Sequence, residues 1–142
     1  MIHAMIDLET LSTKTNATIL TIGGVKFNPY NNIEPSQGLY HRIDVDSQSA
    51  MGRDIDPATV EWWGTQAQGP LFDYAILQNF YAQMEVPVPW NYWQIRDSRT
   101  LFALVPRDPN EKRTGLHNAL EDCYFQARKV QQVYKHYSIT RN

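Results

Sequence analysis

The chain is poor in cysteine: Cys123 is the only one in 142 residues. No intrachain disulfide can form, which is compatible with a reducing compartment. No apolar run approaches the length needed to span a bilayer. Asp7 and Glu9 interrupt the first apolar stretch, so nothing there reads as a secretory signal. The expectation is a cytoplasmic protein with no membrane partner. The chain also lacks a strong charge of either sign, with 13 Lys and Arg against 15 Asp and Glu and a formal net charge of -2. That balance argues against broad, non-specific coating of nucleic acid. It does not exclude an enzyme that grips one strand end, because bound cations would invert the local field. Internal repeats and low-complexity tracts are absent. What the chain does have is 42% hydrophobic and 12% aromatic residues, enough for a core. Its length fits a single domain over residues 1–142.

Residues 1–8 read as a strand, with Ile2, Ala4 and Ile6 on one face and His3, Met5 and Asp7 on the other. Thr18 to Phe27 reads as a second strand, in which Gly23-Gly24 marks a bulge or a close backbone approach. Leu39 to Val45 reads as a third. The short connections predict an antiparallel meander. Asp56-Pro57 is a helix start, with Asp56 as N-cap. A second helix fits Asp73 to about Glu85, stopped by Pro87 and Pro89. Tyr92 to Ile95 reads as a short strand and Ser98 to Leu104 as a short helix. The last helix is the clearest. Asn118 is its N-cap, Glu121 completes a capping-box pattern, and Leu120, Cys123, Ala127, Val130 and Tyr134 form its buried stripe.

Four carboxylates and a histidine suit hydrolytic chemistry. Asp7 and Glu9 are two apart at the end of a strand, so both fall on one face, close enough to share a cation. Taken alone, such a pair is common and usually just solvated. Asp73 opens a helix, where the dipole favours a carboxylate without any function. His117 falls just outside the last helix and Asp122 inside it. A carboxylate ligand is thus held rigidly while an imidazole that titrates near working pH can swing. An exposed loop histidine and a surface Asp are the plainer reading of that segment alone.

Together, Asp7-x-Glu9, then Asp73, then His117-x4-Asp122 resemble the DEDDh 3′-to-5′ exonucleases, a branch of the RNase H-like fold. Within that family the chain is similar to phage and bacterial exonucleases of the exodeoxyribonuclease VIII type and to mycobacterial 3′-to-5′ exoribonucleases. Asp7-Leu8-Glu9-Thr10, Phe72 to Leu77, Pro89-Trp90, Arg96 to Thr100 and His117 to Asp122 carry that likeness. The resemblance implies an α/β fold with a mixed sheet, in which three antiparallel N-terminal strands are flanked by helices. It implies two Mg²⁺ or Mn²⁺ ions held by Asp7, Glu9, Asp73 and Asp122, with His117 as general base. Thr10 and Leu11 would meet the terminal nucleotide, Leu11 against its base, and Phe72 would contact substrate. The implied substrate is single-stranded or 3′-overhanging DNA or RNA, released as nucleoside 5′-monophosphates. A catalytically weak RNase H-like binding or regulatory protein is the rival reading.

Other aromatic and basic residues are less decisive. Tyr74, Trp90, Tyr92 and Trp93 suit base stacking or core, with core favoured for Trp90 and Trp93. Arg96, Arg99, Arg107, Lys112 and Arg113 suit phosphate contacts or a solvated loop equally. Trp62-Trp63 suits core or an interface, and a homodimer stays open.

One segment departs from the family. An RNase H-like core needs a fourth strand just before the middle Asp, but Glu61 to Phe72 holds no β-branched run. The fourth-strand region, some tens of residues, is expected to be missing near Gly64–Gly69. Two outcomes follow: a break in the chain near those residues, or a strand carrying Asp7 that lacks its parallel neighbour.

Overall fold

The computed structural model describes residues 2–62, 70–111 and 118–141, without the side chains of 62 and 70–72. Three strands, β1 (His3–Thr10), β2 (Ile19–Phe27) and β3 (Ser36–Arg42), form an antiparallel sheet in the order β1-β2-β3. Five helices flank it among the described residues: α1 (Val45–Ala50), α2 (Pro57–Trp62), α3 (Pro70–Gln83), α4 (Ser98–Phe102) and α5 (Ala119–His136). The protein is therefore mixed α/β, and the meander is as the sequence predicts. β3 ends earlier than expected because Asp44 caps a helix, α1, by accepting from the Ser47 N–H at 2.7 Å. Tyr92–Gln94 is a 3-10 turn rather than a strand. Its Gln94 N–H reaches back to the Asn91 carbonyl at 3.0 Å, so the backbone closes on itself instead of offering a ladder edge.

The two faces of the sheet carry different packing. Val25 and Phe27 of β2 meet Cys123, Ala127 and Val130 of α5, with Met5, Leu120 and Tyr134 at the margin. This is the predicted stripe of the last helix. α5 starts where Asn118 accepts from the Leu120 and Glu121 N–H groups, both at 3.1 Å. On the other face, Leu8 and Ile19 meet Ile76 and Leu77 of α3, with Ala17 between them. α3 begins three residues earlier than the sequence suggests, at Pro70, so Asp73 sits inside its first turn.

Polar side chains lock the loops to this frame. The buried Gln48 of α1 pairs with the Ile19 backbone in both directions, at 2.8 and 2.7 Å. Arg53 is only 5% exposed. Its Nε donates to the Ala17 carbonyl at 2.9 Å, and its Nη1 reaches Asn79 at 3.1 Å and Gln83 at 3.0 Å on α3. The guanidinium also stacks over Phe80, 4.9 Å from the ring centroid. One arginine thus ties α3 to the turn between β1 and β2.

Among the described residues β1 pairs with β2 alone. The expected parallel neighbour of the Asp7 strand is not among them. The expected break near Gly64–Gly69 lies outside the described residues. No helix among the described residues is long and apolar enough to cross a membrane.

Candidate metal centre

Asp7 and Glu9 come to the centre on β1, where the strand alternation puts both on the α5 side. Asp122 comes from the first turn of α5. What brings these elements together is Gly23, the β2 residue paired with Asp7. A Cβ on Gly23 would lie 2.3 Å from the Ala119 carbonyl carbon and 2.5 Å from the Leu120 nitrogen. The first turn of α5 therefore rests on bare β2 backbone, beside Asp7. This is the close approach that Gly23-Gly24 signals in the sequence. The register shift that follows Gly24 supplies the bulge as well.

The result is a group of three carboxylates, Asp7, Glu9 and Asp122, whose ligand oxygens all lie within 4.8 Å of one another. Asp73, the fourth expected ligand, is not part of that group; it lies on α3 near enough for its charge to act on Asp7 and for that of Glu9 to act on it. The Leu8 N–H donates to its carboxylate, yet its Oδ1 is buried with no hydrogen-bond partner. Burial first, and then the charges of Asp73, Asp122 and Glu9, push the Asp7 carboxyl up to about 8, while Gln126 works the other way. Burial and the charge of Glu9 push Asp73 up to about 7, against smaller lowering by Leu8 and Arg99. Like charges in a dry site resist joint ionisation, and a cation in their midst would remove the conflict.

The donor set fits hard divalent cations. It is all oxygen, it comes from a strand and a helix, and the neighbouring Asp73 carries an unsatisfied buried oxygen. Cys123 lies nearby but offers no thiolate, because burial and the neighbouring carboxylates push its thiol far up.

One residue at the centre, Gln126, is not singled out by the sequence. Gln126 Nε2 donates to Asp7 Oδ1 at 3.2 Å. Its Oε1 accepts from Ser98 Oγ of α4 at 3.0 Å, which fixes the amide with its donor toward Asp7. A signal did exist: Gln126 is four residues beyond Asp122 on one helix, and such residues share a face.

The remaining predicted residues divide. Thr10 is buried, and its Oγ1 donates to the Ser12 carbonyl at 2.9 Å. Leu11 gives its N–H to Thr18 at 2.9 Å and accepts from Asp56 at 2.8 Å, so the half-buried side chain is what it offers outward. Phe72 directly precedes Asp73 in α3, and its side chain lies outside the described residues. His117 also lies outside them. Both described flanks of its stretch are anchored to α5: Glu111 binds Lys129 at 2.7 Å, and Asn118 is the cap. Trp90 packs against Tyr81, Tyr74 and the α3 cluster, as favoured. Trp93 does not follow that expectation: it is exposed, because the 3-10 turn carries it outward.

No curated protein matches the chain. The family described as 3′-5′ exoribonuclease Rv2179c-like domain matches it over residues 2–69 and 65–134. The two stretches overlap at 65–69, the same place from which the fourth strand is expected to be missing. Between them they take in Asp7, Glu9, Asp73, His117 and Asp122, and the chain belongs to the Rv2179c-like 3′-5′ exoribonuclease domain family.

Proposed function

We propose that this protein is a metal-dependent 3′-to-5′ exonuclease of the DEDDh, RNase H-like kind, acting on single-stranded or overhanging 3′ ends. The family description favours RNA over DNA as substrate. The observation that carries the reading is the meeting of Asp7, Glu9 and Asp122 within 4.8 Å beside the buried, unsatisfied Asp73 Oδ1. Such a centre is costly to the fold without a cation and suited to one with it.

Asp7, Glu9, Asp73 and Asp122 would hold two Mg²⁺ or Mn²⁺ ions. When bound, such a pair activates a water and stabilises the leaving 3′-oxygen. His117 would take the proton from the attacking water. The water oxygen bonds to phosphorus and the bond from phosphorus to the 3′-oxygen breaks. A nucleoside 5′-monophosphate leaves, and the shortened strand keeps a new 3′-hydroxyl. Gln126 holds Asp7 in place, and the Leu11 side chain would lie against the terminal base.

The rival reading is a nucleic-acid binder without turnover, and it draws on β1 having one strand neighbour among the described residues. One experiment separates the two. The protein is mixed with 5′-labelled RNA or DNA strands, linear or circular, in Mn²⁺ or in chelator. Stepwise shortening of linear strands only, and only with metal, is expected. Mn²⁺-dependent binding of linear RNA with no shortening would establish the rival instead. His117→Ala should keep Mn²⁺ affinity by calorimetry while turnover falls about 10²–10⁴-fold. Loss of metal affinity in that variant would remove the base assignment.

A further inference from the structure

We propose that Tyr92 and Trp93, with Arg96 and Arg99, form a stacking platform for the strand upstream of the reacting 3′ end. The proposal rests on the exonuclease reading. Tyr92 is 79% exposed and Trp93 59%. Large rings left in water gain nothing from packing, and two adjacent ones are unusual on a solvated loop. Their neighbour Trp90 shows the contrast, since it spends its faces on Tyr74 and Tyr81.

The turn that carries the two rings is braced. The Asn91 N–H donates to the Gln94 side chain at 2.7 Å. Arg96 binds the carbonyls of both Trp93 and Ile95. The rings stand at 86° to each other with centroids 5.1 Å apart. An edge-to-face pair leaves ring faces open to a further π-system. Nucleobases fit that opening, and they stack without regard to sequence.

The platform is linked to the candidate metal centre through the chain and a hydrogen-bond relay. Ser98 is five residues beyond Trp93, at most about 18 Å of extended chain. It bonds Gln126, and Gln126 bonds Asp7. A stacked strand advances about 3.4 Å per nucleotide, so a few nucleotides bridge the distance. Two positive charges lie along the way. Arg99 is exposed and acts on Asp73, and Arg96 acts on His3, which shares the Asp7 face of β1. In a chain of net charge -2, guanidiniums placed there can offset the phosphates of an incoming strand.

The test is how KM depends on strand length. The wild type is compared with Tyr92→Ala/Trp93→Ala on a dinucleotide and on a longer single-stranded RNA. The wild type should show a lower KM on the longer strand. The double variant should lose at least about tenfold of that advantage, with kcat and dinucleotide hydrolysis unchanged. Tyr92→Phe/Trp93→Phe should restore the advantage. A wild type that cleaves neither substrate defeats the exonuclease reading itself. A wild type that cleaves both with no length dependence, or a double variant that keeps the dependence, overturns the platform alone. So does a wild-type dimer that becomes a monomer in the double variant by sedimentation, since the rings would then be an interface between copies.

Discussion

The candidate metal centre and the helix expected to complete it are held in different ways. The centre, made by β1 and α5, is braced from every side: Gly23 admits the first turn of α5, Asn118 caps it, and Gln126 fixes Asp7. The helix, α3, is tied down at a distance. Arg53 holds the distal part of the helix at Asn79 and Gln83, while Asp73 at the near end leaves a buried oxygen unpartnered. The comparison teaches that rigidity is concentrated where two ligands must share one strand face. Unmet polar demand is left on the helix that carries Asp73.

The largest change in stability should come from breaking the braced centre. Gly23→Val places side-chain atoms inside the Ala119 backbone, and the first turn of α5 must lift from β2. We expect about 3 kcal/mol of destabilisation, the upper part of the overpacking range, read by chemical denaturation. Mn²⁺ binding should vanish with it, because Asp122 leaves the group.

Breaking the tether of α3 should cost less. Arg53→Met keeps much of the side-chain volume but leaves the Ala17 carbonyl and the two α3 amides without the guanidinium. We expect about 2 kcal/mol of destabilisation. Because Asp73 rides on α3, metal affinity should fall while Gln126 still holds Asp7. Unchanged Mn²⁺ affinity in a folded Arg53→Met would show that the tether does not reach the site.

Asp73→Asn sharpens the comparison from the opposite side. On the proposed exonuclease reading turnover should be lost, since a two-metal site fails when a ligand is removed. The metal-free protein should gain stability, and the gain should depend on pH. In the folded state Asp7 and Asp73 titrate at about 8 and about 7, against an ordinary 3.8. The folded protein therefore holds protons that the unfolded chain releases from about pH 4 upward. Wild-type stability from these groups is fullest below the ordinary value and drains away as pH rises toward 8. The advantage of Asp73→Asn over wild type should grow from about pH 4 and level off above about pH 7, by melts in chelator. An advantage that shrinks with rising pH would contradict the burial of Asp73.

The smallest expected effect is at the outer brace. Ser98→Ala removes the bond that orients the Gln126 amide, and about 1 kcal/mol of Mn²⁺ affinity should go with it. In a Gln126→Ala background the same substitution should do nothing further. Additive losses would show that Ser98 acts on the site by another route.

Local signals decided much of this protein before any fold was known. Period-two spacing put Asp7 and Glu9 on one face, Asn118 marked the start of α5, and the Cys123, Ala127 and Val130 stripe marked the face it buries. These follow from backbone geometry within a few residues, which sequence spacing reports directly. Where local geometry gave two answers, the sequence could mislead: Tyr92 to Ile95 has strand-like residues but closes into a 3-10 turn, and Trp93 goes out to solvent. Only the tertiary structure decided what meets across long separations. Gly23 had to face Ala119, Arg53 had to reach α3, and Gln126 had to find both Ser98 and Asp7. Such contacts depend on how elements dock, and docking is set by the joint packing of many side chains rather than by any one stretch.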